Sequence, residues 1–128
     1  MPTETTYLTD ADPFEITIVR GVDFTLELVL YEDDGTTLLD TTGVEWVMAG
    51  KRDATSCTDE FRITSTDGDI TDDDEGTIGI RIPGSVTQLM DEHVGEYDLV
   101  GTWPAPGSEI RQKLHGTYTL RLSPVKGV

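Results

Sequence analysis

The densest run of potential metal ligands in the sequence is Asp67, Asp69, Asp72, Asp73, Asp74 and Glu75, all within nine residues. Carboxylate oxygens crowded in this way suggest calcium chemistry, so spacing is the first test. An EF-hand loop places acids at positions 1, 3 and 5, glycine at 6 and glutamate at 12. Counted from Asp67, position 6 is Asp72 and position 12 is Ile78; counted from Asp72, they are Thr77 and Pro83. Neither register fits. The run reads as a hydrated turn and no cofactor is expected, with calcium held between loops as the alternative the acids leave open.

Nucleophilic chemistry has fewer candidates. His93 stands in Asp91-Glu92-His93, just ahead of Gly95. A catalytic role would need a nucleophile and an orienting acid beside it, which sequence spacing alone does not supply. His115 falls within the last strand, out of phase with the apolar set, so solvent or a partner is its expected surroundings. Cys57 follows Ser56 in a polar loop with nothing nearby to depress a thiol pKa. Gly84, Gly95 and Gly107 follow turn logic and form no phosphate-binding loop. An exposed tryptophan can stack on a sugar ring, as aromatic faces do on other apolar surfaces. Trp46, however, shares the phase of Val44 and Met48, and Trp103 that of Tyr97 and Leu99, which assigns both to the core or its rim. No catalytic or cofactor-binding residue is expected, and the chain is read as no enzyme.

The elements that must position these residues are nearly all strands. Period-2 alternation runs through Phe14, Ile16 and Ile18, then through Phe24, Leu26, Leu28 and Leu30. It resumes at Val44, Trp46 and Met48, at Phe61 and Ile63, at Ile78, Ile80 and Ile82, and at Tyr97, Leu99 and Gly101. The last and longest strand carries Leu114, Gly116, Tyr118, Leu120 and Leu122 on one face, with Gly116 expected at a bulge or kink. Asp-Gly turns separate the strands. Residues 85–90 predict one helical turn, capped by Ser85 and packing Val86, Leu89 and Met90 inward. About seven to nine strands with no long helix predict an all-β fold, a single antiparallel β-sandwich of Ig-like type. The one cysteine excludes the paired Ig-fold disulfide. Residues 1–12, rich in threonine and acid, are read as a flexible arm, 13–124 as the sandwich domain and 125–128 as a tail.

Length and charge exclude other classes. A chain of 128 residues fits one domain. A net charge of −16 excludes nucleic-acid binding through phosphate contacts and attachment to a membrane through a polybasic surface. No stretch approaches the ~20 apolar residues of a membrane span, and residues 1–4 show neither the basic nor the apolar part of a secretory signal. Absence of asparagine, with 3 lysines and 20 threonines, suits a protein hydrated in high salt; a GC-rich genome produces a similar bias. Residues 1–76 hold 20 acids and 4 bases, whereas residues 77–128 hold 5 of each. Any docking surface is therefore expected on the neutral strands from Gly95 onward, because burying unpaired carboxylates is costly.

The order of pieces carries a resemblance. Phe14-Glu15-Ile16-Thr17-Ile18-Val19-Arg20-Gly21-Val22-Asp23-Phe24-Thr25-Leu26 leads to an acidic Asp-Gly turn, then to Leu38-Leu39-Asp40-Thr41-Thr42-Gly43-Val44 and a tryptophan-bearing strand. Gly76-Thr77-Ile78-Gly79-Ile80-Arg81-Ile82-Pro83, Gly95-Glu96-Tyr97-Asp98-Leu99 and Leu114-His115-Gly116-Thr117-Tyr118-Thr119-Leu120 follow. This resembles the Ig-like domains of tailed-virus structural proteins, in particular the N-terminal domain of phage baseplate upper proteins. The resemblance covers about residues 14–124. It implies a non-enzymatic virion structural or adaptor protein, in the tail, baseplate or neck, with other virion proteins and copies of itself as partners. A capsid decoration protein is a variant of that reading. A glycan- or calcium-binding sandwich for host-surface recognition is the alternative of another class.

Overall fold

A computed structural model describes residues 4–8, 12–32, 34–53, 55, 57–104 and 110–122. Its strands are β1 (Glu4–Leu8), β2 (Asp12–Pro13), β3 (Ile16–Val19), β4 (Phe24–Leu30), β5 (Glu45–Lys51) and β6 (Phe61–Thr64). They continue with β7 (Ile70–Asp72), β8 (Thr77–Ile82), β9 (His93–Thr102) and β10 (Ile110–Arg121), and the helical turn α1 (Gly84–Thr87) lies between β8 and β9. One sheet has the order β1-β4-β8-β7; the other runs β2-β10-β9-β5-β6, with β3 also beside β10. The fold is the all-β sandwich that the alternation predicts.

The two sheets close on one core because each strand turns every second side chain inward. Leu26, Leu28, Leu30, Ile70, Ile78, Ile80 and Ile82 from the smaller sheet meet Trp46, Met48, Phe61, Ile63, Leu99, Leu114, Tyr118 and Leu120 from the larger. Three glycines make room for aromatics on the larger sheet's inner face. Gly50 pairs with Phe61, Gly95 with Tyr118 and Gly101 with Trp46. A Cβ on each would lie 2.2, 2.6 and 2.8 Å from its partner's ring, so the ring lies across the vacant side-chain position.

Several details differ from the sequence reading. Residues 4–8, inside the expected flexible arm, form β1, paired in parallel with β4 from Glu4↔Leu26 to Leu8↔Leu30. Their threonine and acid content hides a segment that gains order from backbone pairing along β4. Residues 1–3, 9–11 and the expected tail at 125–128 lie outside the described residues. With β1 and the two-residue β2, the strands number ten among the described residues, and the sheets are mixed: β2 and β3 also join β10 in parallel.

The irregularity in β10 falls between Gln112 and Leu114 and leaves Gly116 in register with Tyr97. Gly116 has another task. At φ +156°, a Cβ there would stand 2.2 Å from the carbonyl oxygen of Phe14, which lies between β2 and β3. The Phe14 N–H donates to the His115 carbonyl at 2.8 Å, and the Tyr97 hydroxyl donates to the Phe14 carbonyl.

The helical turn meets expectation at Met90, which packs against the core, but not at Val86 and Leu89. Gly84 and Thr87 are buried, whereas Leu89 is 96% exposed and Val86 also faces outward. Gly84 sits so close to Gly21 that a Cβ would lie 2.4 Å from the Gly21 carbonyl oxygen, and this approach fixes which face turns in. Polar contacts hold the turn: Gly21 N–H donates to Thr87 Oγ1 at 3.0 Å, and Gly84 N–H donates to Asp23 Oδ1 at 2.7 Å. The cap thus comes from Asp23, with Ser85 exposed and no side-chain cap from the preceding Pro83. Leu122, expected on the core face, lies beyond the end of β10 and is 43% exposed.

Candidate functional site

Three carboxylates of the 67–75 run, those of Asp69, Asp72 and Asp73, bind backbone N–H groups or neighbouring side chains. Asp72 Oδ1 accepts from Thr41 Oγ1 at 2.6 Å and from Asp74 N–H at 2.8 Å, while Oδ2 accepts from the Trp46 indole N–H at 2.8 Å. Asp73 Oδ1 accepts from the N–H groups of Thr77 and Glu75, in that order of influence, and these bonds hold its carboxyl below the usual range. Asp69 reaches Arg81 at 3.4 Å. Asp67 closes a turn through its N–H to Thr64 Oγ1. Asp74 takes the positive φ of its turn at +69°, and Glu75 is exposed. Among the described residues, no three His, Cys, Asp or Glu side chains are grouped to hold an ion.

His93 joins the core rim. Its Nδ1 lies 2.9 Å from the Asp91 carbonyl oxygen, which can only accept, so Nδ1 donates, and Nε2 lies within hydrogen-bond distance of the Tyr118 hydroxyl at 2.8 Å. The rings meet edge-on at 5.3 Å. Burial, with Glu60's charge as a second cause, pushes the Tyr118 phenol up to about 12, so this hydroxyl does not ionise near neutrality. Arg52 ties the same corner together by binding both Glu60 and Asp91. Cys57 is exposed in the loop before β6. Trp46 is fully buried, and Trp103 packs edge-on against it at 5.7 Å while donating to the Asp40 carbonyl at 3.1 Å. Arg111 stacks on Trp103, its guanidinium carbon 5.2 Å from the ring centroid. Both tryptophans are therefore engaged as core and rim.

The feature that sequence reading missed is the outer face of the six-stranded sheet. Direct cross-strand register sets Lys51 beside Glu96 and Glu96 beside Thr117, and in the next row Ala49 beside Asp98 and Asp98 beside His115. A shallow hollow of about 410 Å³ opens there, over the low floor that Ala49 and Gly116 leave. The outward positions remain half-buried or exposed, including Val47, Val100 and the 61% exposed Val94. Acids outnumber bases among the described side chains here: Glu45, Asp59, Glu96 and Asp98 accompany Lys51, Arg62 and Arg121, and Asp59 reaches Lys51 at 3.9 Å and Arg62 at 3.6 Å. On the opposite sheet the outward Arg81 meets Asp23 at 3.1 Å and Asp69 at 3.4 Å, with Glu27 also outward. His115, expected toward solvent or a partner, lies half-buried in the wall of the hollow.

No protein-family profile matches this sequence, and no curated protein matches it. Among solved structures, the chain is similar to the N-terminal domain of phage TP901-1 ORF48. The match covers 94% of this chain and 98% of that one, with a TM-score of 0.50 and 8% sequence identity. At that identity the likeness is one of fold: two chains of unlike sequence lay their strands along the same end-to-end path.

Proposed function

We propose that this protein is a non-enzymatic structural or adaptor component of a tailed-virus particle, in its tail, baseplate or neck, where it joins virion proteins in several copies. The observation that carries the reading is the end-to-end likeness to a phage protein's N-terminal domain, which leaves almost none of either chain unmatched. The side chains with the most obvious chemistry support it. Asp72, Asp73 and His93 are each committed to turn or core contacts. Such a sandwich suits assembly, because a stiff sheet holds a large contact area in place without having to order a loop first.

The test is quantitative mass spectrometry of purified particles of the encoding virus, with tails and capsids analysed separately. The expected result is a fixed copy number per particle that travels with the tail fraction. Recovery with empty capsids would make it a decoration protein, and absence from washed particles would refute the reading.

A further inference from the structure

We infer that the open edge formed by β2 and β3 is a strand-pairing surface through which one copy of this chain binds a second, with Thr17 of each copy at the two-fold axis. This contact goes beyond the proposed structural role by naming a partner and a register. β2 and β3 are two parts of one edge strand: Asp12↔Leu114, Pro13↔His115 and Ile16↔Tyr118 keep the same offset, so residues 12–19 follow β10 without a shift. Phe14 and Arg20 donate their N–H groups toward β10, to the carbonyls of His115 at 2.8 Å and Arg121 at 2.9 Å. Successive residues of a strand turn their N–H and C=O groups to alternate sides, so Pro13, Glu15, Thr17 and Val19 turn theirs away from β10. Among the described residues, no strand pairs that side. The open stretch is bounded at both ends. Pro13 has no N–H to give, and the Val19 carbonyl accepts from Val22 N–H at 3.1 Å as the chain turns off toward β4. Glu15, Thr17 and Val19 remain between these bounds, with Thr17 in the middle.

A window centred on one residue pairs with itself. Laid antiparallel to a second copy, Thr17 faces Thr17 and Glu15 faces Val19 in both directions, which makes about six main-chain hydrogen bonds. In that register Ile16 faces Ile18 on the core side, Thr17 faces Thr17 on the outer side as a favourable cross-strand pair, and no carboxylate stands opposite another. A foreign strand must be in phase and short enough to fit between Pro13 and the turn at Val19; a second copy meets both conditions by symmetry. Charge points the same way. A body carrying −16 repels its own copies wherever its acids are dense, and residues 16–19 contain no charge. The edge strands β6 and β7 instead carry Arg62 and Asp72.

The experiment is sedimentation equilibrium of the full chain against Thr17→Pro. The proline removes the central outward N–H and spares the bonds to β10, as Pro13 already does in the same row. Circular dichroism establishes that the variant is folded. The expected result is a reversible dimer in the parent chain, weakened about tenfold or more in Thr17→Pro because symmetry removes two central bonds at once. A second measurement does not depend on how the proline is tolerated. In a Cys57→Ser background, Thr17→Cys and Thr36→Cys, the latter in an exposed turn away from this edge, are oxidised in a glutathione buffer. Thr17→Cys should form the disulfide-linked dimer about tenfold faster or more, since the axis brings the two positions within disulfide reach. A strictly monomeric parent chain overturns the inference, as does a dimer that folded Thr17→Pro leaves intact or equal cross-linking at positions 17 and 36. If the protein is monomeric yet present in virions, the edge assignment falls and the structural role stands. If it dimerises through this edge yet is absent from particles, the structural role falls alone.

Discussion

Replacing Asp72 by alanine tests the main structural claim about the acidic run, that its carboxylates hold the fold together. Among the described residues, Asp72 is the acceptor of the Trp46 indole N–H, at 2.8 Å, and Trp46 is fully buried. It also accepts from the hydroxyl of Thr41, likewise fully buried, at 2.6 Å. Removing the carboxylate orphans a buried indole donor, which costs about 1–3 kcal/mol. Thr41 loses less, because its oxygen still accepts from Gly76 N–H at 3.1 Å. Together the expected loss is about 2–4 kcal/mol, a large share of the ~5–15 kcal/mol typical of a domain. With a urea slope of ~1–3 kcal/mol per molar, the midpoint should fall by about 1–2 M at unchanged slope. Urea unfolding followed by circular dichroism and by tryptophan emission provides the assay. A double-mutant cycle with Trp46→Phe isolates the indole bond: the phenylalanine substitution should be less damaging when Asp72 is already alanine, by about 1 kcal/mol. A loss below ~0.5 kcal/mol for Asp72→Ala, or a Trp46→Phe effect equal in both backgrounds, would refute the assignment.

Two further predictions follow from charge and from backbone contact. The Asp34 pKa is lowered to about 2 by the Thr37 hydroxyl and by the N–H groups of Thr37 and Thr36; those of Asp23, Asp40, Asp73 and Asp91 are lowered as well. A depressed folded-state pKa contributes stability above the unfolded value of ~3.9 that is lost as pH falls toward the folded value. Neutralising the other carboxylates first relieves the −16 self-repulsion. At low salt the melting temperature should therefore rise from pH 7 to about 4.5 and fall from there to pH 2, with 1 M NaCl flattening the rise; a monotonic rise down to pH 2 would contradict this. Gly116→Ala should cost about 1–3 kcal/mol, because its Cβ would press within 2.2 Å of the Phe14 carbonyl oxygen. Loss of amide-exchange protection should appear first at Phe14, whose N–H bonds the adjacent His115 carbonyl.

How much of this was legible in the sequence depends on whether the signal is local. Leu26, Leu28 and Leu30, or Ile78, Ile80 and Ile82, alternate so strictly that β4 and β8 could be placed within a residue or so. Trp46 was correctly read as core from its phase with Val44 and Met48. β1 was missed because Glu4-Thr5-Thr6-Tyr7-Leu8 has little apolar pattern, and its order comes from the free edge of β4, which only the folded chain creates. In the helical turn Met90 packs on the core as expected, whereas the equally apolar Val86 and Leu89 face outward. The close approach of Gly84 to Gly21 decided which face turned in. For the acidic run, spacing was enough to reject an EF-hand, but no spacing rule joins Asp72 to a tryptophan 26 positions away. The sheet face was hidden for the same reason: Lys51 becomes a neighbour of Glu96 only through strand register.

The edges of the two sheets bear on how such a chain can assemble. An open edge strand can add another strand without limit, and proteins restrain this with short edges and charge. Here β7, at one edge, has three residues, and its Asp72 is bound to Trp46 and Thr41. β6, at an edge of the other sheet, has four, carries the exposed Arg62 and follows Asp59 and Glu60 directly. β1 lies along β4 and occupies the edge that β4 would otherwise expose. Growth by strand addition is therefore disfavoured at the β6 and β7 edges, and β1 is itself the other edge of the smaller sheet. A contact between two copies of the β2–β3 edge is different in kind, because two identical edges satisfy one another and the contact closes. A particle built from fixed numbers of parts needs contacts that stop, and in this chain the short β6 and β7 edges discourage the open-ended ones.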